Sequence, residues 1–566
     1  MKPSRPVEIA LLVITTTIFV LFFLWPLGES MRGAFVDARG ELTFAYVRAV
    51  FENPVYLLGF RNSLLVAVGS TAISALVGVP LALVFARWEF PWRRFLAVLI
   101  PLPLFVPPFV GALGIQRLLG PTGAVNAALV SLGLMDHSDP IDWLREGRFW
   151  AVISLTALHL FPVLYFNLSA ALANQNPELE RAAQLLGARG FRRLWRVTLP
   201  LAAPSLFASL TIIFIWSLTE LGVPLLCDYD RITSVQIFTG LKDIGQNPFV
   251  YGLVVVTLLA TLGLYGLSRL LLRKMDVTAG TKGAARLERK RLKPVAAWAC
   301  TGFALLVLSA AALPNVSVVL LASSHDWYES VLPTGLTLEH YRAALGHELV
   351  VPSIGRSLRY VTLSTAFDLV LGFAIAWVVV QGSMKGRKLL DAMAMLPLSV
   401  PGLVMAFGYL AISREGRPLD MFDPAKDPTL LLVVAYAMRR LPFVLRSAEA
   451  GLLQMSKNVE DAARSLGAPP FRVLVRVTLP LVLPHLLAGG LFAFALSMLE
   501  VSDSLILAQQ QAHFPITKAI YELSQLIGEG RLLAAALGVW AMLLLGTTIW
   551  VARRLVSQRS SGLSEV

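Results

Sequence analysis

Charge is scarce in this 566-residue sequence: Asp, Glu, Lys and Arg make up 15% of it, against roughly a quarter in soluble domains. Hydrophobic residues make up 56%, and the mean hydropathy is +0.68. Cysteine is nearly missing too. Cys227 and Cys300 stand in separate halves without metal-ligand spacing, which argues against a disulfide framework and a zinc site. No Gly-x-x-x-x-Gly-Lys-Ser/Thr phosphate loop occurs, nor a single Gly-Lys dipeptide, so the chain offers no home for nucleotide phosphates. No nucleophile, base and orienter arrangement supports a membrane enzyme. The net charge of +13 would point to nucleic acid in a soluble chain, but its placement along this one argues for a lipid bilayer instead.

What is present is long apolar runs such as IALLVITTTIFVLFFLWPLG. Only helices and closed barrels satisfy their backbone groups inside hydrocarbon, and these runs have the length of spanning helices. The expected fold class is therefore an all-α polytopic membrane protein. Twelve spans are expected: near 8–28, 63–86, 95–115, 150–173, 203–225 and 250–271, then near 296–321, 357–380, 390–412, 429–453, 484–507 and 532–551. The first follows the short head MKPSRP without a small-residue cleavage site and reads as a retained span. With the N-terminus inside, inner connections hold 28 Lys or Arg against 8 Asp or Glu, and outer ones 16 against 21. That asymmetry places both termini on the cytoplasmic side.

The chain is written twice. RNSLLVAVGSTAISALVGVP from Arg61 answers GRSLRYVTLSTAFDLVLGFA from Gly355, and PLFVPPFVGALG from Pro103 answers PLSVPGLVMAFG from Pro397, both at an offset of 294. Further on the offset falls to 280, which leaves the first copy some 14 residues longer, in the outer loop around MDHSDPIDWLREG. Two pseudo-symmetric six-helix halves are expected, 1–272 and 295–566, joined by a basic cytoplasmic linker at 273–294.

The most informative repeat is polar. ERAAQLLGARGFRRLWRVTLPL from Glu180 and EDAARSLGAPPFRVLVRVTLPL from Glu460 agree at 15 of 22 positions. Apolar spans resemble one another through composition, but a charged loop does not. An Ala-Ala helix, a glycine and a second short helix closed by Leu-Pro predict a helix-turn-helix at the inner membrane surface, over 176–200 and again over 456–480.

This pattern resembles the cytoplasmic loop of permease subunits in bacterial ATP-binding-cassette importers, and the whole chain resembles the fused two-half ferric-iron permeases among them, with the architecture of a type I importer permease. The matching residues are Ala182, Ala183, Gly187, Val197, Leu199 and Pro200, and then Asp461, Ala462, Ala463, Gly467, Val477, Leu479 and Pro480. The resemblance implies that each loop docks on a separate cytoplasmic ATPase dimer, which binds ATP and Mg while this chain binds no cofactor. It also implies an extracytoplasmic substrate-binding protein and a place in the bacterial inner membrane. One position departs: the motif's Glu is Arg181 in the first copy and Asp461 in the second, so the two docking contacts are expected to be unequal.

Charges at membrane depth cost on the order of 3 kcal/mol each on insertion scales, so each asks for a partner or a function. Glu220 and Glu500 are equivalent at the 280 offset, with Asp503 close to the latter; the resemblance implies that this span lines the pathway, which makes all three candidate translocation-path residues, the alternative being helix braces. AYAMRRLPFVLRSAEAG carries Arg439, Arg440 and Arg446, and its counterpart aligns His159 with Arg439 and Pro162 with Pro442. Arg439 and Arg440 point about 100° apart on a helix. They are accordingly not expected to share one partner: either one pairs with Glu500 while the other lines an anion-attracting cavity, or both are paired structurally within the bundle. Outer-loop Trp143, Trp327 and Tyr328 are expected either to receive the binding protein or to sit in an interfacial aromatic belt.

The resemblance implies ferric iron as the cargo, with 2-aminoethylphosphonate or thiamine, carried by similar permeases, as the alternatives. Carboxylates suit a hard cation and arginines an anion, so both classes stay open. A reading of another class, a twelve-span secondary transporter, shares the span count and symmetry but has no use for two matching loops.

Overall fold

The computed structural model describes residues 5–562 except 38, 189, 242–247, 276–288 and 385. Most of the expected linker at 273–294 lies outside the described residues. Helix dominates, with two short strand pairs: Trp88–Glu89 parallel to Lys290–Arg291, and Ser324–Asp326 antiparallel to Gly335–Leu336.

Nine helices among the described residues are long and apolar enough to cross a membrane, and two bent pairs, Arg93–Leu104 with Pro108–Ser131 and Arg387–Ser399 with Gly402–Ser413, raise the number to as many as eleven. The bends, 94° and 102°, fall where prolines interrupt the helical hydrogen bonds, Pro107 and Pro108 in one pair and Pro401 in the other. Length and composition alone therefore do not confirm the count of twelve expected from the sequence. The Thr429–Gln454 helix is long enough but carries too much charge in Arg439, Arg440, Arg446 and Glu449 to qualify by composition.

The chain packs into two compact units. The early unit is Ala49–Lys242 with Leu259–His340, and the late unit is Met1–Arg48, Asp243–Leu258 and Tyr341–Val566. These are not the sequence halves 1–272 and 295–566. The first span of each repeat joins the unit built by the other repeat, because its docking site lies there. In the early unit the Pro294–Ala322 helix lies on Pro108–Leu119, where a Cβ on Gly114 would stand 2.7 Å from the Pro314 carbonyl oxygen. In the late unit Trp25–Phe35 lies on Gly402–Ser413, where a Cβ on Gly408 would stand 2.7 Å from the Pro26 carbonyl oxygen. Gly114 and Gly408 are repeat equivalents, and both are the bare backbone that lets a neighbouring helix touch.

Within the early unit, Pro54–Arg87 starts at Asn53, whose side chain accepts from the Val55 amide, with Pro54 at the first helical position. It runs alongside Trp143–Ala173, sealed by Ser70 and Ser74, which donate to the carbonyls of Ile153 and Ala157 at 3.2 Å each. The constant spacing of these two bonds means that the helices run parallel. Val350–Gln381 and Thr429–Gln454 are the equivalent pair of the late unit, close enough that a Cβ on Gly372 would lie 3.0 Å from Val444 Cγ1.

Candidate functional site

Both repeated loops fold alike. Pro177–Leu185 and Lys457–Ser465 are short helices, each ended by a glycine in the left-handed region, Gly187 at φ +83° and Gly467 at φ +82°. The ending satisfies the orphan carbonyls twice over: Gly187 and Ala188 amides donate to Gln184 and Ala183, and Gly467 and Ala468 amides to Arg464 and Ala463. A π turn follows in each loop, Leu194–Thr198 and Leu474–Thr478, before the long helices Leu199–Leu218 and Leu479–Met498. Pro200 and Pro480 account for it: a proline ring at that point collides with the carbonyl four residues back, and widening the turn removes the clash.

The matched residues divide by exposure in the same way in both copies. Ala182, Gly187 and Pro200, like Ala462, Gly467 and Pro480, are exposed, as are Arg181 and Asp461; Ala183, Leu199, Ala463 and Leu479 are half-buried. Around them stand side chains that the sequence reading did not single out. Leu186 is 89% exposed and Leu466 88%, with Phe191 and Phe471 at 73% and 75%. Large apolar groups so bare on a polar loop mark a surface built to be covered.

Inside each loop sits an acid that holds it to the bundle, also missed as a site residue although it opens both copies of the motif. Glu180 accepts from Thr198 Oγ1 at 2.6 Å and pairs with Arg87 at the end of Pro54–Arg87. Glu460 accepts from Thr478 Oγ1 at 2.7 Å and from Gln381 Nε2 at 3.3 Å, Gln381 ending Val350–Gln381. Arg87 and Gln381 are equivalent at the 294 offset, so the position that offers a guanidinium to one loop acid offers an amide to the other. A cavity of about 740 Å³ lies beside the second loop, with Gln381, Arg387, Glu460 and Arg464 in its wall.

Four of the five candidate path residues come together, in the late unit. Arg439 Nη1 reaches Glu500 Oε1 at 2.5 Å and Asp503 Oδ2 at 3.3 Å, while Arg440 Nη2 reaches Glu500 Oε2 at 2.6 Å and the Leu496 carbonyl at 3.1 Å. This corrects the expectation that adjacent arginines take different partners. Their long side chains converge past the helix surface, and one carboxylate has two oxygens to offer. Glu500 and Asp503 are buried, and Tyr436 closes the cluster through Ser504, which donates to the Glu500 carbonyl. Arg446 is apart from this group and pairs with Asp391 and Glu449.

In the early unit Glu220 does something different. Its Oε1 accepts from the Gly222 and Val223 amides at 3.1 and 3.3 Å, capping the break after Leu199–Leu218. His159 Nδ1 lies 2.7 Å from the Pro103 carbonyl oxygen, a hydrogen bond within the bundle. Of the outer aromatics, Trp327 is buried, with its indole nitrogen donating to Ser330, which removes it from any docking surface. Among the described residues no group of three or more His, Cys, Asp or Glu is placed to hold a metal ion.

Comparison with known proteins agrees with the duplication. The family described as "binding-protein-dependent transport system inner membrane component" matches residues 78–277 and again 368–561. The ferric transport system permease protein FbpB of Actinobacillus pleuropneumoniae is 26% identical over 87% of this chain and 70% of its own. The Fe(3+)-transport system permease protein FbpB 2 of Haemophilus influenzae is 24% identical over 79% of this chain and 80% of its own. A Salmonella typhimurium protein named for a 2-aminoethylphosphonate transport system permease, PhnV, is 28% identical over 42% of this chain and 89% of its own. Among solved structures, a bacterial ABC transporter involved in the import of alginate matches with TM-score 0.39 and 19% identity, over 47% of this chain and 94% of that one.

Proposed function

The chain belongs to the family of binding-protein-dependent transport system inner membrane components, and from that premise we propose that it is the fused, two-repeat membrane subunit of an ATP-driven importer whose cargo is ferric iron. The observation that carries the machine is the pair of loops. Two copies of one charged motif keep the same left-handed glycine, the same π turn and the same bare leucine and phenylalanine, which is what a symmetric ATPase dimer requires of its two docking points. ATP and Mg belong to that partner, and the loops carry its closure to the helices that lead to Glu220 and Glu500. The positive-inside balance supports cytoplasmic termini, and an extracytoplasmic binding protein delivers cargo to the opposite face.

Ferric iron is favoured over a phosphonate because the relatives named for ferric transport align across both repeats. The cluster of Arg439, Arg440, Glu500 and Asp503 presents charge of both signs, which suits a ferric ion travelling with an anion better than a bare cation. Purification from native membrane should retrieve an ATP-hydrolysing subunit with the permease, and uptake should follow ferric salt rather than 2-aminoethylphosphonate or thiamine offered side by side. Uptake that runs on an ion gradient with no such subunit would instead establish a secondary transporter.

A further inference from the structure

One buried acid has no task in the account so far. Asp368 sits in the middle of Val350–Gln381, 1% exposed, and neither of its carboxylate oxygens has a hydrogen-bond partner. A carboxylate in that condition is costly unless a cation answers it. Val350–Gln381 and Thr429–Gln454 touch at Gly372 and Val444, and four residues earlier along each of these parallel helices stand Asp368 and Arg440. Arg440 is the cation whose charge acts on Asp368. It is nevertheless committed elsewhere, to Glu500 and the Leu496 carbonyl, and its Nε is buried without an acceptor. An orphaned donor and an orphaned acceptor thus face the same interface from two helices.

Thr429–Gln454 also contains Pro442, two residues beyond Arg440, which deprives the Met438 carbonyl of its helical donor and makes a bend there cheap. The repeat supplies the contrast. The equivalents of Asp368 and Arg440 in the early unit are Ser74 and Leu160, and Ser74 is already satisfied by the Ala157 carbonyl.

We propose that Asp368 is the second seat of Arg440: the guanidinium pairs with Glu500 in the conformation described here and exchanges it for Asp368 when the Thr429–Gln454 helix changes its bend at Pro442. The late unit then has two discrete arrangements, each with its arginine paired, and the early unit has none of this kind. Such an exchange biases an equilibrium only through the difference between the two seats, so changing either acid moves the balance.

The test is a double-mutant cycle on the full chain purified in lipid nanodiscs, reading the half-life of the folded protein at a fixed temperature. In the native background Asp368→Asn removes an acid that makes no bond, and the half-life should stay within about two-fold or lengthen. With Glu500→Gln, Arg440 moves to its second seat, and the same Asp368→Asn change should shorten the half-life about ten-fold. If Glu500→Gln does not yield folded protein, Glu500→Asp, which withdraws the carboxylate by one methylene, takes its place in the cycle. Equal effects of Asp368→Asn in both backgrounds, or a marked loss in the native background, would overturn the exchange. The cycle needs no ATPase and no cargo, so its outcome is independent of the importer reading, which stands or falls on ATP-driven uptake.

Discussion

The two units share a loop and differ in their depths. Gly187 and Gly467 stand at the same φ within a degree, and both π turns begin fourteen residues after the loop acid, at Leu194 and Leu474. The helices behind those loops have diverged. Where the early unit has Ser74, His159, Leu160 and Val223, the late unit has Asp368, Arg439, Arg440 and Asp503. Duplication has kept the shape of the surface element and let the buried electrostatics go their own way. The Arg87 and Gln381 braces teach the same lesson on a smaller scale, since a guanidinium and an amide reach the same acid from the same place.

The sharpest way to break the comparison is to treat the equivalent acids alike. Glu500→Gln removes the carboxylate that Arg439 and Arg440 share and should cost the late unit about 3–5 kcal/mol, the usual penalty for removing one partner of a buried pair, less whatever Asp368 returns by taking Arg440. Glu220→Gln removes a charged acceptor from two backbone amides at a helix start and should cost about 1 kcal/mol. Thermal unfolding of the two purified variants measures the difference; equal losses would mean that the early carboxylate is also clamped by a cation.

Next in size are the loop braces. Arg87→Gln gives the first loop the second loop's chemistry and should cost about 1.5–3 kcal/mol, the range for a hydrogen bond to a charged group. Paired with Glu180→Gln it forms a cycle whose coupling energy should be clearly positive. Gln381→Arg is the converse experiment and should stiffen the second loop, read as slower amide exchange over Lys457–Ser465. If neither change alters exchange in its own loop, the two braces are interchangeable in strength as well as in position.

Much of this was legible in the sequence, and the parts that were not have physical reasons. The loops were readable because charged residues repeated at a fixed offset have no compositional excuse. Glu180 and Glu460 opened both motifs in plain view, yet their inward direction follows from Thr198 and Thr478 eighteen residues away, a distance that only folding closes. The convergence of Arg439 and Arg440 was misread because the 100° rule describes where Cβ points and says little of where a guanidinium ends. Asp368 left a signal, a single acid inside LSTAFDLVLGF, that helix-by-helix reading passed over. The exchange of first spans between units left none: a spanning helix is apolar whichever neighbour it serves, and the glycines that receive it, Gly114 and Gly408, look like any other small residue in a span.

The smallest effects concern the loop positions themselves. Gly187→Ala and Gly467→Ala should each cost about 1–2 kcal/mol, the price of a left-handed residue that carries a Cβ, because neither glycine has an atom within 4 Å for a methyl group to strike. Equal costs in the two loops would show that their backbones are interchangeable. Exchanging the departing charges, Arg181→Asp with Asp461→Arg, should change stability by less than about 0.5 kcal/mol, since both side chains are exposed. Any effect of that swap must then appear in the affinity for the ATPase, measured as the amount of subunit retained at rising salt. An affinity that does not move would mean that the apolar pair on each loop, Leu186 with Phe191 and Leu466 with Phe471, carries the docking by itself, and that the charge reversal at Arg181 was tolerated because nothing reads it.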